Sequence, residues 1–238
     1  MAQVGWDILT APLYEPAEAG RIVGMASERV RRWLLGYSYS YKVRGTTKRG
    51  HQRPVVQRTD TADPYASFLD LIELRFAQKF MSYGLTPQRV RAAFKEAAEI
   101  TGEDHPFARR KFFTDGRTLY LDLKKHQSDA PNLLQLLSGG QWVISEIVLQ
   151  YAEEVDFDEQ SRAVARWWPM GKEEPVVIDP ALSFGKSTIE HRGLKTSNVY
   201  SFYLGERKNV AAVARWFDLR HDEVEAAVRW EQQLRTAA

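Results

Sequence analysis

"YEPAEAGRIVGMASERVRRWLLGY", residues 14–37, reads as two short helices that meet at a glycine. Pro16 suits a first helical position, where its missing N–H removes a donor that has no intrahelical acceptor. Ala19, Ile22 and Val23 then recur at helical spacing and give one apolar face. Gly24 ends that helix. Ser27 is a favourable N-cap for the second, in which Val30, Trp33 and Leu34 fall at i, i+3 and i+4 and turn one stripe inward. Arg29, Arg31 and Arg32 are left on the other side. The tight turn of Gly24, Met25 and Ala26 sets two helices at a steep angle, which is how a helix-turn-helix lifts its second helix into a DNA major groove. A plain helical hairpin with a solvated basic face fits the same pattern.

The next segment, "GYSYSYKVRGTTKRGHQRPVVQR" (36–58), alternates Tyr37, Tyr39 and Tyr41 with serines as a half-buried strand does. It passes a glycine-bounded basic tip and returns through Val55 and Val56. The pattern predicts a hairpin wing. With Lys42, Arg44, Lys48, Arg49 and Arg53 on it, the wing and the basic helix offer two surfaces to one phosphate-lined groove. A basic hairpin without a ligand is the bland alternative.

Charge along the chain supports the sharper reading. The net charge is only +2, yet residues 1–60 carry ten Lys or Arg against five Asp or Glu, and from Arg29 to Arg58 nine basic residues occur without one acidic residue. Residues 61–161 reverse the balance with eleven against sixteen. The absence of cysteine excludes disulfides, thiol nucleophiles and cysteine zinc sites, and five scattered histidines leave little for any other metal site. No apolar run reaches the roughly 18 to 20 residues of a membrane span, and the start "MAQVGWDILTAP" lacks the pattern of a signal peptide. A cytoplasmic protein with no cofactor is expected.

Further along, Phe68, Ile72, Phe76, Phe80 and Tyr83 form a stripe on a helix, either core or a dimer seam, and Thr86 with Pro87 starts another helix carrying Val90, Phe94 and Ala97. "YEPAEAGRIVGMASERVRRW", the basic hairpin and "FLDLIELRFAQKFMSYGLTPQRVRAAF" together resemble the winged helix-turn-helix of MerR-type DNA-binding domains over roughly residues 12–100.

In the middle, Asp115 and Gly116 between two β-prone runs signal a hairpin, and Gly139 and Gly140 break a pair of helices. "EEVDFDE" gathers Glu153, Glu154, Asp156, Asp158 and Glu159, which a magnesium site would need, but the alternation with Val155 and Phe157 reads better as the wet face of an edge strand. Pro169 and Gly171 suggest a boundary. Beyond it the chain is expected to begin with a short strand and end in two helices. There Val210, Val213, Ala214 and Phe217, then Val224, Ala227 and Val228, repeat the spacing of the first pair. Asp222, Glu223 and Glu225 at the front of the last helix would repel phosphates, which points to protein contact or internal packing.

That tail resembles a small domain of unknown function that accompanies PIN-domain toxins, through "VVIDP", "FGK" with Ile189, and "VAAVARWFDLRHDEVEAAVRW". Ser187 and Lys195 stand where the family has prolines, and Gly193 where it has arginine. Front and tail together resemble an atypical VapB-type antitoxin of the mycobacterial kind. The resemblance implies a binding protein, not an enzyme, that neutralises a PIN-domain ribonuclease and represses its own operon as a homodimer on operator DNA. PIN nucleases hold magnesium in an acidic pocket, so a basic side chain could enter it, and Arg192, Lys195 and Arg235 are candidates by charge and position. A MerR-type regulator whose middle segment binds a small effector is the runner-up.

The expected fold is mainly α with small β (α+β). Residues 1–100 form a winged helix-turn-helix with following helices, 101–171 a central α+β connection with a hairpin, and 172–238 a small helix-turn-helix-like domain that meets the toxin.

Overall fold

The computed structural model describes residues 8–58, 63–109 and 151–236. The hairpin expected at Asp115–Gly116 and the helix break at Gly139–Gly140 lie outside them. The described chain is α+β, with helices at both ends and two antiparallel sheets.

Helix α1 (Pro16–Val23) starts with Pro16 in its first turn and stops at Gly24, whose φ of 72° is left-handed. Helix α2 (Ser27–Leu35) follows, and here the sequence reading shifts by one residue. Ser27 is the first helical residue and caps nothing, because the Ala26 carbonyl already accepts from the N–H groups of Arg29 and Val30. The turn is close: a Cβ on Gly20 would lie 2.3 Å from the Met25 carbonyl oxygen.

Strands β1 (Tyr37–Val43) and β2 (Thr46–Gln52) pair from Tyr37 with Gln52 to Val43 with Thr46. Arg44 and Gly45 both take positive φ, 49° and 83°, as a two-residue type I′ turn requires. The return through Val55 and Val56 is corrected: β2 ends at Gln52, and both valines are buried, their N–H groups donating to the Trp33 carbonyl oxygen.

Helix α3 (Phe68–Ser82) opens with a reciprocal capping box between Ser67 and Asp70, and α4 (Pro87–Thr101) with the Thr86 hydroxyl accepting from the Arg89 N–H. Phe68, Ile72, Phe76 and Phe80 are fully buried in the chain's own core, and Phe107 packs on Phe76 and Phe94 with ring centroids 5.2 and 4.5 Å apart. The stripe is therefore core and not a dimer seam; only Tyr83, at the helix end, is exposed.

From residue 155 onward the chain holds more than the edge strand, the short strand and the two helices expected of it. Strands β3 (Val155–Phe157), β4 (Val164–Trp167), β5 (Val176–Ile178), β6 (Ser187–Ile189) and β7 (Leu194–Lys195) form a five-stranded antiparallel sheet in chain order. Trp167 pairs with Ile178, so the sheet runs across the Pro169–Gly171 turn. Helices α5 (Thr196–Gly205), α6 (Val210–Phe217) and α7 (His221–Thr236) follow, the last two joined by a three-residue turn. Buried apolar side chains from front and tail belong to one cluster. Polar contacts join them too: the Tyr14 hydroxyl donates to the Gly185 carbonyl oxygen at 2.8 Å, and Lys186 Nζ lies 2.6 Å from each Glu18 carboxylate oxygen.

Candidate nucleic-acid interface

The inward stripe of Val30, Trp33 and Leu34 fixes α2 against α1, and so decides which side of α2 faces outward. Arg29, Arg31 and Arg32 are on that exposed side, as is Ser27. Arg29 and Arg31 pair with no carboxylate among the described residues, while Arg32 bonds Glu28 at 3.0 Å and stands 5.2 Å from the centre of the Tyr37 ring. The hairpin leaves α2 at Gly36, where a Cβ would meet the Gln52 carbonyl oxygen at 2.4 Å. Its return is tied to the end of α2 by the two bonds to Trp33. Helix and hairpin are thus held as one unit.

Lys42, Arg44, Lys48, Arg49 and Arg53 are all exposed and none forms an ion pair among the described residues. Strand alternation places Lys42 and Arg49 on one face with Ser38 and Ser40, and Lys48 on the other with the tyrosines. These cations sit in high dielectric with their full charge available to an anionic partner. Nothing acidic between Arg29 and Arg58 offsets them.

Arg58, the last member of the basic run, behaves differently. Its guanidinium is buried, 3.3 Å from Asp70, and donates to the carbonyl oxygens of Asp63 and Tyr65. Asp70 also meets His105 at 2.9 Å and accepts from the Ser67 N–H. Burial pushes the Asp70 carboxyl up, but the bond with His105, the Ser67 N–H and the Arg58 charge outweigh it and hold it below the ordinary value. One turn on, the wholly buried Glu73 accepts from the N–H groups of Phe107 and Ala108 with one oxygen. Burial drives its carboxyl well above the ordinary value despite those two bonds. These two carboxylates escaped the sequence reading because their partners come from distant segments.

The acidic cluster resolves into separate tasks. Asp156 pairs with Lys172 at 2.6 Å, Glu154 with Arg75 and Trp167 Nε1, and Asp158 accepts from the N–H groups of Gln160 and Ser161. Among the described residues no group of three potential ligands is placed to hold a metal ion. Among the described residues strand β3 is a sheet edge.

The three tail candidates have different surroundings. Arg192 is tied to Asp218 at 2.7 Å, just before α7, and Lys195 is half-buried in β7. Arg235 lies at the far end of α7, 4.8 Å from the centre of the Tyr200 ring. Arg235 also borders a cleft of about 590 Å³ at the seam of front and tail, lined by Glu18, Arg21, Lys186, Thr196 and Glu231 among others. The sequence reading also missed Trp216, which is 70% exposed and stacked on Phe202 with centroids 5.2 Å apart.

No family model matches the chain. Among solved structures it is similar to the X-ray crystal structure of Rv2018 from Mycobacterium tuberculosis, with a TM-score of 0.65 and 21% identity over 92% of this chain and 98% of that one, a likeness of fold. Among curated proteins it is similar to the Mycobacterium tuberculosis protein named "Putative antitoxin VapB45", with 25% identity over 79% of this chain and 81% of that one. It is also similar to the uncharacterized protein Rv2308 of the same organism, with 22% identity over 97% and 94%. No helix among the described residues is long and apolar enough to cross a membrane.

Proposed function

We propose that the chain is a binding protein of the antitoxin kind, with α1, α2 and the β1–β2 arm as a winged helix-turn-helix on duplex DNA and the tail as the seat of a PIN-domain toxin. The carrying observation is the basic surface formed by Arg29 and Arg31 of α2 and the cations of the arm, none of them ion-paired among the described residues, held as one unit by the bonds from Val55 and Val56 to Trp33. Arg29 and Arg31 face the groove, and Lys42, Arg44, Lys48, Arg49 and Arg53 take phosphates. Two copies of the chain would address half-sites about 34 Å apart.

The similarity to VapB45 over most of both chains supports the antitoxin part. On the tail, Trp216 stacked on Phe202 is the kind of exposed aromatic anchor on which a protein partner seats, with Arg215 beside it in sequence. Co-expression with the product of a neighbouring nuclease-like reading frame tests this part. Co-purification and relief of growth arrest are expected, and failure of both contradicts it.

A regulator that answers to a small effector is the second reading, favoured by the charged cleft between α1 and the tail. An operator-binding affinity unchanged by deletion of the neighbouring reading frame, but altered by Arg21→Ala and a cell extract's small-molecule fraction, would select it.

A further inference from the structure

The arm has a second face whose chemistry does not suit a duplex. Tyr37, Tyr39 and Tyr41 line it at centroid separations of 6.0 and 5.9 Å. Tyr39 and Tyr41 remain 45% and 44% exposed, and among the described residues no other element packs over them. Gly50 lies opposite Tyr39, and a Cβ there would meet ring atoms of Tyr39 at 2.6 to 2.9 Å. One side of that ring therefore rests across the glycine while the rest stays open.

Cations flank the ladder. Arg32 and Arg91 stand 5.2 and 5.9 Å from the Tyr37 ring centre, and Lys48 is the cross-strand partner of Tyr41. Bases in a duplex are stacked about 3.4 Å apart along each strand, with their faces covered. A ladder with nearly twice that spacing finds nothing to stack on there. An unpaired, extended strand presents both what the rings need and what the cations need, a base face and a phosphate in alternation.

We propose that this tyrosine face is a stacking platform for the unpaired bases of single-stranded nucleic acid, with Arg32, Arg91 and Lys48 on its phosphates. The platform shares Lys48 with the duplex reading, while its stacking rings take no part in that reading, and would let one arm address both forms.

Anisotropy titrations of labelled oligo(dT) and oligo(U) of about 12 nucleotides, inside the ~4 to 16 nucleotide range of such sites, test it beside a duplex of equal length. The full chain should bind a single-stranded probe; preference for oligo(dT) or oligo(U) names DNA or RNA as the ligand. Tyr39→Ala and Tyr41→Ala should each weaken that binding about ten-fold, with duplex affinity changed less than about two-fold, while Tyr39→Phe, which keeps the ring over Gly50, binds like the wild type. Absence of single-strand binding overturns the proposal, as does unchanged binding by both alanine variants. An equal loss on the duplex overturns it too, since the rings would then serve the duplex surface or the folding of the arm.

Discussion

The hydroxyl of Tyr14 and the carbonyl oxygen of Gly185, 171 residues apart, meet in a hydrogen bond of 2.8 Å, and beside them Lys186 grips both oxygens of Glu18. Burial pushes the Tyr14 hydroxyl far above its ordinary pKa, so it stays a neutral donor at any working pH. The front that carries the basic arm is fastened to the tail at this point.

Tyr14→Phe keeps the ring and removes the donor, leaving the Gly185 carbonyl without it. Denaturant unfolding should show a loss of ~1 to 2 kcal/mol in a single transition that front and tail share. Two separated transitions in the wild type would mean that the fastening does not couple them.

Asp70→Asn should be the most damaging single change on α3. It leaves Arg58 buried beside a neutral side chain, and breaking a buried pair of this kind costs about 3 to 5 kcal/mol. Because the folded carboxyl titrates below its unfolded counterpart, its stabilisation is fully present above about pH 4 and fades as pH falls through the folded value. The gap between the thermal melts of wild type and variant should begin to narrow as pH is taken from 7 to below about 4; a gap that stays constant would refute this assignment.

Glu73 has the opposite sign. Its raised folded pKa means that the folded state holds a proton the unfolded chain has released, so stability falls as pH rises above about 4.3. Glu73→Gln keeps an oxygen for the Phe107 and Ala108 N–H groups and removes the titration. Its melting temperature should exceed that of the wild type at pH 7 and match it near pH 4.

Much of this was legible in the sequence where one residue dictates a local geometry. Pro16 and Gly24 bound α1, Thr86 and Pro87 start α4, and the three-residue turn before His221 separates the last two helices. Of the five-stranded sheet only β3, as an edge strand, and β5, as a short strand, were legible, since strands of two to four residues are too short to show a period of two. Tyrosine alternation in β1 predicted a half-buried strand, yet burial depends on what covers the face, and among the described residues only Tyr37, beside Arg32 and Arg91, is covered in part. Arg58 closes the basic run in the sequence, and only the fold shows that Asp70, distant from it in the chain, holds its guanidinium in the interior.

Trp216→Ala should abolish capture of the toxin partner in co-expression, by about 2 kcal/mol or more if the ring is an anchor, with fold and duplex binding intact. Arg192→Ala, whose guanidinium is held by Asp218 at the surface, should leave capture nearly unchanged. The reverse order would move the partner to the other side of the tail.

The most direct measurement is the salt dependence of duplex binding by the full chain, wild type against Arg31→Ala and Lys48→Ala. Log affinity should fall linearly with log salt at roughly −0.9 per phosphate neutralised; Lys48→Ala should flatten that slope by about one, and Arg31→Ala should weaken or relax sequence preference by ~1 to 3 kcal/mol. Identical affinities and slopes for all three proteins would contradict the assignment of α2 and the arm as the surface that holds DNA.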